Sequence, residues 1–151
     1  MSSLQDGTLL FLAPNSQGGL ILQKRFYADF VGPGAAIGGQ IDKDCTAIYA
    51  IGVVNFRIPT QPTERQQSLQ TRMMYAKRLA EITGMDDPVQ RTRQIMTQLQ
   101  DWIGTNPIQK IPVEQIAHLA GISPKRLQTV EHGQSASAKR NDAVHARTLT
   151  A

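Results

Sequence analysis

The stretch IPVEQIAHLAGISPKRLQTVEHG, residues 111–133, decides how the chain is read. Pro112 is suited to the first turn of a helix, where its missing N–H costs nothing. Ile116, Ala117 and Ala120 recur at helical spacing and form an inner face. Gly121 follows, the residue type that ends a helix in the left-handed conformation. Ser123 then caps a second helix with Pro124 at its first position. Leu127 and Val130 point inward from it, and Gly133 closes it. Two short helices joined at so tight a corner must cross closely, so Ala117 has to be small, and Ile122, Leu127 and Val130 lock the crossing.

In such a pair the outward face of the second helix carries Pro124, Lys125, Gln128, Thr129 and His132, with Arg126 on its flank and Ser123 at its start. These side chains can reach base edges or phosphates. The residues that carry this pattern, Ile116, Ala117, Gly121, Ile122, Leu127, Val130, Glu131 and Gly133, resemble the helix-turn-helix of the phage repressor (Cro/C1-like) class, whose hydrophobic-Glu-x-Gly ending is similar to VEHG here. The resemblance covers roughly 23 of 151 residues. It implies that Pro124, Lys125 and Thr129 stand where that class reads bases, and that Arg126 and Gln128 make phosphate or flanking contacts. Val113 replaces the glutamine that the class often places in the first turn. Leu119 is apolar where an exposed polar residue is usual, so that face is expected to touch another part of the chain or a partner. The two further helices of the class do not follow Gly133, and their structural role would pass to helices upstream.

Two such helices are legible. Thr63 with Gln66 reads as a capping box, and Leu69, Met73, Ala76, Ala80 and Thr83 step by three and four along one face, with Leu79 and Ile82 beside them. Arg65, Arg72, Lys77 and Arg78 are assigned to its polar surface, and Gly84 to its end. Asp87 caps the next helix with Pro88 at its first position. Its stripe is Val89, Met96, Leu99 and Ile103, widened by Ile95 and Trp102, and Gly104 closes it.

Residues 1–58 differ in texture. The runs TLLFLAP, GGLILQKRFYADFVG and CTAIYAIGVVNFRIP are apolar, short and punctuated by Pro and Gly, which favours strands. NSQGG is a candidate hairpin turn, and CTAIYAIGVV also fits a buried helix. PTQP, residues 59–62, reads as a linker. After Gly133 the sequence turns small and polar, and 134–151 is read as a disordered tail.

Charge is unevenly placed. The chain carries a net +4, and residues 1–58 balance four bases against four acids, so the whole excess lies in 59–151. That suits a polyanionic partner; a solvated helical surface gives the same balance. Apolar residues at 40 % support a core, and aromatics at 5 % make it mostly aliphatic. A single cysteine, Cys45, allows neither an intrachain disulfide nor a thiolate metal cluster and fits a reducing compartment. No signal peptide or membrane span is expected, which places the chain in the cytoplasm.

Other chemistry is weakly signalled. GPGAAIGGQ, residues 32–40, lacks the Lys-Ser/Thr of a phosphate loop. His118, His132 and His145 have no metal-ligand spacing, and no G-x-S-x-G elbow occurs. Asp42 and Asp44 flank Lys43 in IDKDC, where a polar turn is commoner than an acid-base pair. Arg25, Phe26 and Tyr27 fit a base-stacking strand or an ordinary alternation of core and surface. Cys45 reads as a buried, inert thiol.

The expected fold is α+β: a β-rich unit over 1–58, used for dimerisation or sensing, then a helical domain over 63–133 with its helix-turn-helix at 112–133. The expected function is a small transcriptional regulator that binds double-stranded DNA, as a homodimer joined through the N-terminal unit or through the helix from Glu64 to Thr83. Ser123, Lys125, Arg126, Gln128, Thr129 and His132 are the DNA-binding candidates. No catalytic residue, cofactor or metal is expected. The rival expectation is a non-enzymatic adaptor that presents the helix pair, Leu119 included, to a protein partner. A weaker one has residues 28–58 sensing a small molecule.

Overall fold

The structure, a computed structural model, describes residues 7–122. Six strands come first: β1 (Leu9–Leu12), β2 (Gln17–Lys24), β3 (Ala28–Val31), β4 (Ala36–Gly38), β5 (Cys45–Val53) and β6 (Phe56–Arg57). A 3-10 turn, Gly39–Asp42, links β4 to β5. Four helices follow among the described residues: α1 (Pro62–Thr83), α2 (Pro88–Ile103), α3 (Thr105–Ile108) and α4 (Val113–Ala120). The protein is therefore α+β.

The strands form two antiparallel three-stranded sheets, in the orders β4-β1-β6 and β3-β2-β5. Consecutive strands β1 and β2 lie in different sheets, so NSQGG carries the chain from one sheet to the other and closes no hairpin. The reason is pairing elsewhere: Leu10 opposes Ile37 of β4, while Leu20 opposes Ala50 of β5 on one side and Val31 of β3 on the other. CTAIYAIGV is a strand, paired with β2 along its length. At Gly18 a Cβ would come within 2.0 Å of the Ile51 carbonyl oxygen, and at Gly19 within 2.6 Å of the Phe30 ring. These glycines let β2 and β5 approach and leave room for Phe30 beneath the sheet.

One core joins the sheets to the helices. Leu12, Leu22, Phe30 and Ile37 from the strands and Ile82, Ile95, Leu99 and Leu119 from the helices belong to a single buried cluster. Its aromatic hub spans three elements. Phe30 of β3 stacks on Trp102 of α2 at 5.3 Å, and Tyr75 of α1 meets both rings edge-on, at 5.5 and 4.7 Å. Tyr75 also donates its hydroxyl to the Pro33 carbonyl at 2.9 Å, and burial pushes its pKa up to about 12.

Helix α2 follows its pattern. The Asp87 carboxylate accepts from the Val89 amide at 3.0 Å, and Ile95, Leu99 and Ile103 are buried, with Val89, Met96 and Trp102 half-buried beside them.

Helix α1 departs from its pattern twice. It begins at Pro62 behind Gln61, with no side-chain cap, so Thr63 lies inside the helix and the capping box does not form. Its buried face is Ser68, Arg72, Tyr75, Leu79 and Ile82, rotated from the expected stripe by about one residue, or roughly 100°. Leu69, Ala76 and Thr83 are half-buried, and Met73 and Ala80 are exposed. The residue that turns the helix is Arg72, assigned to the surface by its charge and found almost fully buried.

Candidate nucleic-acid interface

The first half of the predicted helix pair is present as α4. Pro112 precedes the helix in an extended conformation, one position earlier than the first turn. Ile116, Ala117, Leu119 and Ala120 are buried, and Ala117 and Ala120 are fully so. Gly121 adopts φ 68°, ψ 35°, the left-handed region. Its amide reaches back to the Ala117 and His118 carbonyls, and the Ile122 amide donates to the Ala117 carbonyl at 2.9 Å. An L side chain is strained in this conformation, which is why glycine stands here. The chain thus leaves the axis of α4 within two residues, with Ile122 buried as the first residue beyond the corner.

The six residues expected to touch DNA, Ser123, Lys125, Arg126, Gln128, Thr129 and His132, lie outside the described residues, as does the segment 134–151. Leu119 is only 2 % exposed. It is packed into the chain's own core, so it is not available as an anchor for a partner. Among the described residues no group of three or more His, Cys, Asp or Glu is placed to hold a metal, and no helix is long and apolar enough to cross a membrane.

The structure also contains a polar cluster that the sequence did not reveal. Arg72 extends from α1 between the two sheets. Its Nη1 donates to the Ala36 carbonyl and to Asp42 Oδ2, both at 3.0 Å; its Nη2 donates to Asp29 Oδ2 and Asp42 Oδ1, both at 2.8 Å. Asp42 Oδ2 also accepts from the Gly38 amide at 2.7 Å. Lys24 approaches the same carboxylate, 3.0 Å from Oδ1, donates to the Ile41 carbonyl, and lies 3.2 Å from Asp44. The side chains of Lys24, Arg72 and Asp42 are 3, 6 and 0 % exposed. Both Asp42 oxygens are doubly engaged, so this is a fastening between β2, β3, the 3-10 turn and α1. IDKDC is no solvated turn: Asp42 faces inward and Asp44 outward. The only sequence signal was an arginine flanked at i−4 and i+3 by core positions, which charge alone makes look like surface.

The fastening has a defined pH window. Burial raises the Asp42 pKa, but the Arg72 guanidinium, the Gly38 amide and Lys24 outweigh it and hold the carboxyl below its ordinary value. Burial lowers the Lys24 pKa, and Asp42 and Asp44 outweigh that and hold it above its ordinary value. Arg72 is likewise raised, its partners Asp42 and Asp29 overcoming burial. A lowered carboxylate pKa stabilises the fold above about pH 4, its unfolded value, and that contribution is lost as pH falls through the folded value. A raised lysine pKa stabilises below about pH 10.4 and is lost as pH rises through the folded value. Unfolding free energy measured against pH should therefore plateau between these limits with respect to these groups, and Asp42→Asn should flatten the acid limb. An acid limb identical in the variant would show that another carboxylate governs it.

Cys45 is buried, as expected, and burial raises its thiol pKa, so it is poorly nucleophilic. Arg25, Phe26 and Tyr27 form the exposed turn between β2 and β3, with the Arg25 guanidinium 5.2 Å from the Phe26 ring centre. This turn faces α1 across a groove bordered by Ala76, Ala80 and Thr83.

Comparison of the sequence with protein-family models and with curated proteins returns no match.

Proposed function

We propose that the protein is a small DNA-binding transcriptional regulator of the cytoplasm, which meets duplex DNA as a homodimer through the segment that follows Gly121. The observation that carries this reading is the left-handed Gly121 corner at the end of a buried α4. A helix-turn-helix needs a first helix held rigidly by its own core, then an abrupt change of direction that throws a second segment outward. Here Ile116, Ala117, Leu119 and Ala120 hold α4, and the change of direction takes two residues. The segment beyond carries Lys125 and Thr129 to read bases, Arg126 to anchor phosphate, and Ser123, Gln128 and His132 as flanking contacts. The charge excess of residues 59–151 supports a polyanionic partner. One such module reads few base pairs, so useful affinity requires two copies.

Fluorescence anisotropy of the full chain with duplex DNA fragments at two salt concentrations tests the reading. Binding that weakens steeply with salt is expected, because each neutralised phosphate releases counterions. No binding at low salt, or binding indifferent to salt, contradicts it.

A further inference from the structure

Helix α1 carries two apolar faces and uses only one of them for its own core. The buried face is Ser68, Arg72, Tyr75, Leu79 and Ile82. The other, Leu69, Met73, Ala76, Ala80 and Thr83, steps by four, three, four and three residues. That is an unbroken alternation of the two seam positions of a heptad, the spacing by which one helix meets another along its length. Met73 is 70 % exposed and neighbouring Met74 51 %, while Ala76 and Ala80 are small. Across the groove from those alanines stands the Arg25–Tyr27 turn, with Phe26 86 % and Tyr27 56 % exposed.

We infer that this face of α1, flanked by the Phe26–Tyr27 turn, is the two-fold contact with a second copy of the chain, the two α1 helices running parallel. The inference rests on the reading of the protein as a dimeric regulator and names the surface that makes the dimer. Area favours a second copy. Helix α1 has 22 residues and is about 33 Å long. A contact strip about 10 Å wide gives roughly 330 Å² per copy. That alone falls short of the roughly 1,000 Å² total that a specific interface needs. Two exposed aromatics add roughly 100–200 Å² each per copy, which brings the total above it. A two-fold contact is self-complementary, so one helix supplies both the protruding methionines and the alanine hollows they meet. The parallel sense follows from where the rest of the chain goes. Helix α4 lies along the same groove, towards the C-terminal half of α1. Parallel helices keep both copies' DNA-reading segments at one end, within reach of half-sites about 34 Å apart. Antiparallel helices send them to opposite ends.

Disulfide trapping of the full chain tests this, with Cys45 left in place because it is buried. Wild type should elute with twice the monomer mass in light-scattering chromatography. Met73→Cys and Ala80→Cys should each give a disulfide-linked dimer on mild oxidation, because seam positions face their own copies across a parallel two-fold. Lys43→Cys, exposed and far along the chain, should not. Met73→Glu should run as a monomer with an unchanged circular dichroism spectrum, since Met73 touches no core. A wild-type chain that stays monomeric overturns the inference. So does a dimer in which only one or neither of the two seam cysteines links, or one that Met73→Glu leaves intact. The trapping uses no DNA, so the two readings fail separately. A linked dimer that binds no DNA refutes the regulator reading alone; DNA binding by a monomer refutes this surface alone.

Discussion

Replacing Arg72 by alanine is expected to lower the free energy of unfolding by about 3–5 kcal/mol. The arginine is nearly buried, and it satisfies Asp42, Asp29 and the Ala36 carbonyl at once. Removing it leaves the Asp42 carboxylate, wholly shielded from water, with only Lys24 for a cationic partner among the described contacts. Uncompensated buried charge is among the few single-residue lesions of this size. Against a usual domain stability of about 5–15 kcal/mol, such a loss is a large share of the whole. Arg72→Lys should fall between: the charge survives, but the planar fork that binds two carboxylates and a carbonyl together does not. Urea denaturation with an unchanged slope checks both variants. A loss for Arg72→Ala below about 1 kcal/mol, the worth of an exposed ion pair, would mean that the cluster is hydrated and fastens nothing.

That cluster also explains how far the fold could be read in advance. Wherever local chemistry determines conformation, the reading held. Asp87 with Pro88 opens α2, Gly104 closes it, and Gly121 turns left-handed after α4. The short apolar runs between Pro and Gly are strands, and the α+β class follows from the change in periodicity near residue 60. Where partners distant in sequence decide, it did not. The face of α1 is set by Arg72 meeting carboxylates 30 and 43 positions away, and nothing within α1 announces them. NSQGG has hairpin chemistry, yet β1 and β2 find better partners in β4 and β5. Leu119 was legible as an anomaly, apolar on a face that should be polar, and its burial in the core resolves it. The misplaced stripe of α1 is informative for the same reason. Leu69, Met73, Ala76, Ala80 and Thr83 keep helical order without being the helix's own core, and that pairing of pattern with exposure is what points to a second copy.

At the candidate site the sequence supplied the corner and the structure supplied its rigidity. Gly121 lies at the end of a helix whose four inner residues are buried. The cationic residues beyond it are known from sequence alone, and their chemistry carries the second large prediction. With Lys125→Ala and Arg126→Ala combined, affinity for duplex DNA should fall at least about 30-fold, which is about 2 kcal/mol, since a base contact and a phosphate contact are lost together. The salt dependence should become shallower by roughly two counterions. Neither substitution removes Ile122, Leu127 or Val130, so the melting temperature should stay within a few degrees of wild type, roughly the effect expected for surface positions.

The most direct test is therefore a side-by-side anisotropy titration of wild type and this double variant with duplex DNA at two salt concentrations. Tight, salt-sensitive binding by wild type, and its collapse in an equally stable variant, is the predicted result. Equal affinities and equal salt slopes for the two proteins would contradict the claim that the segment beyond Gly121 reads DNA.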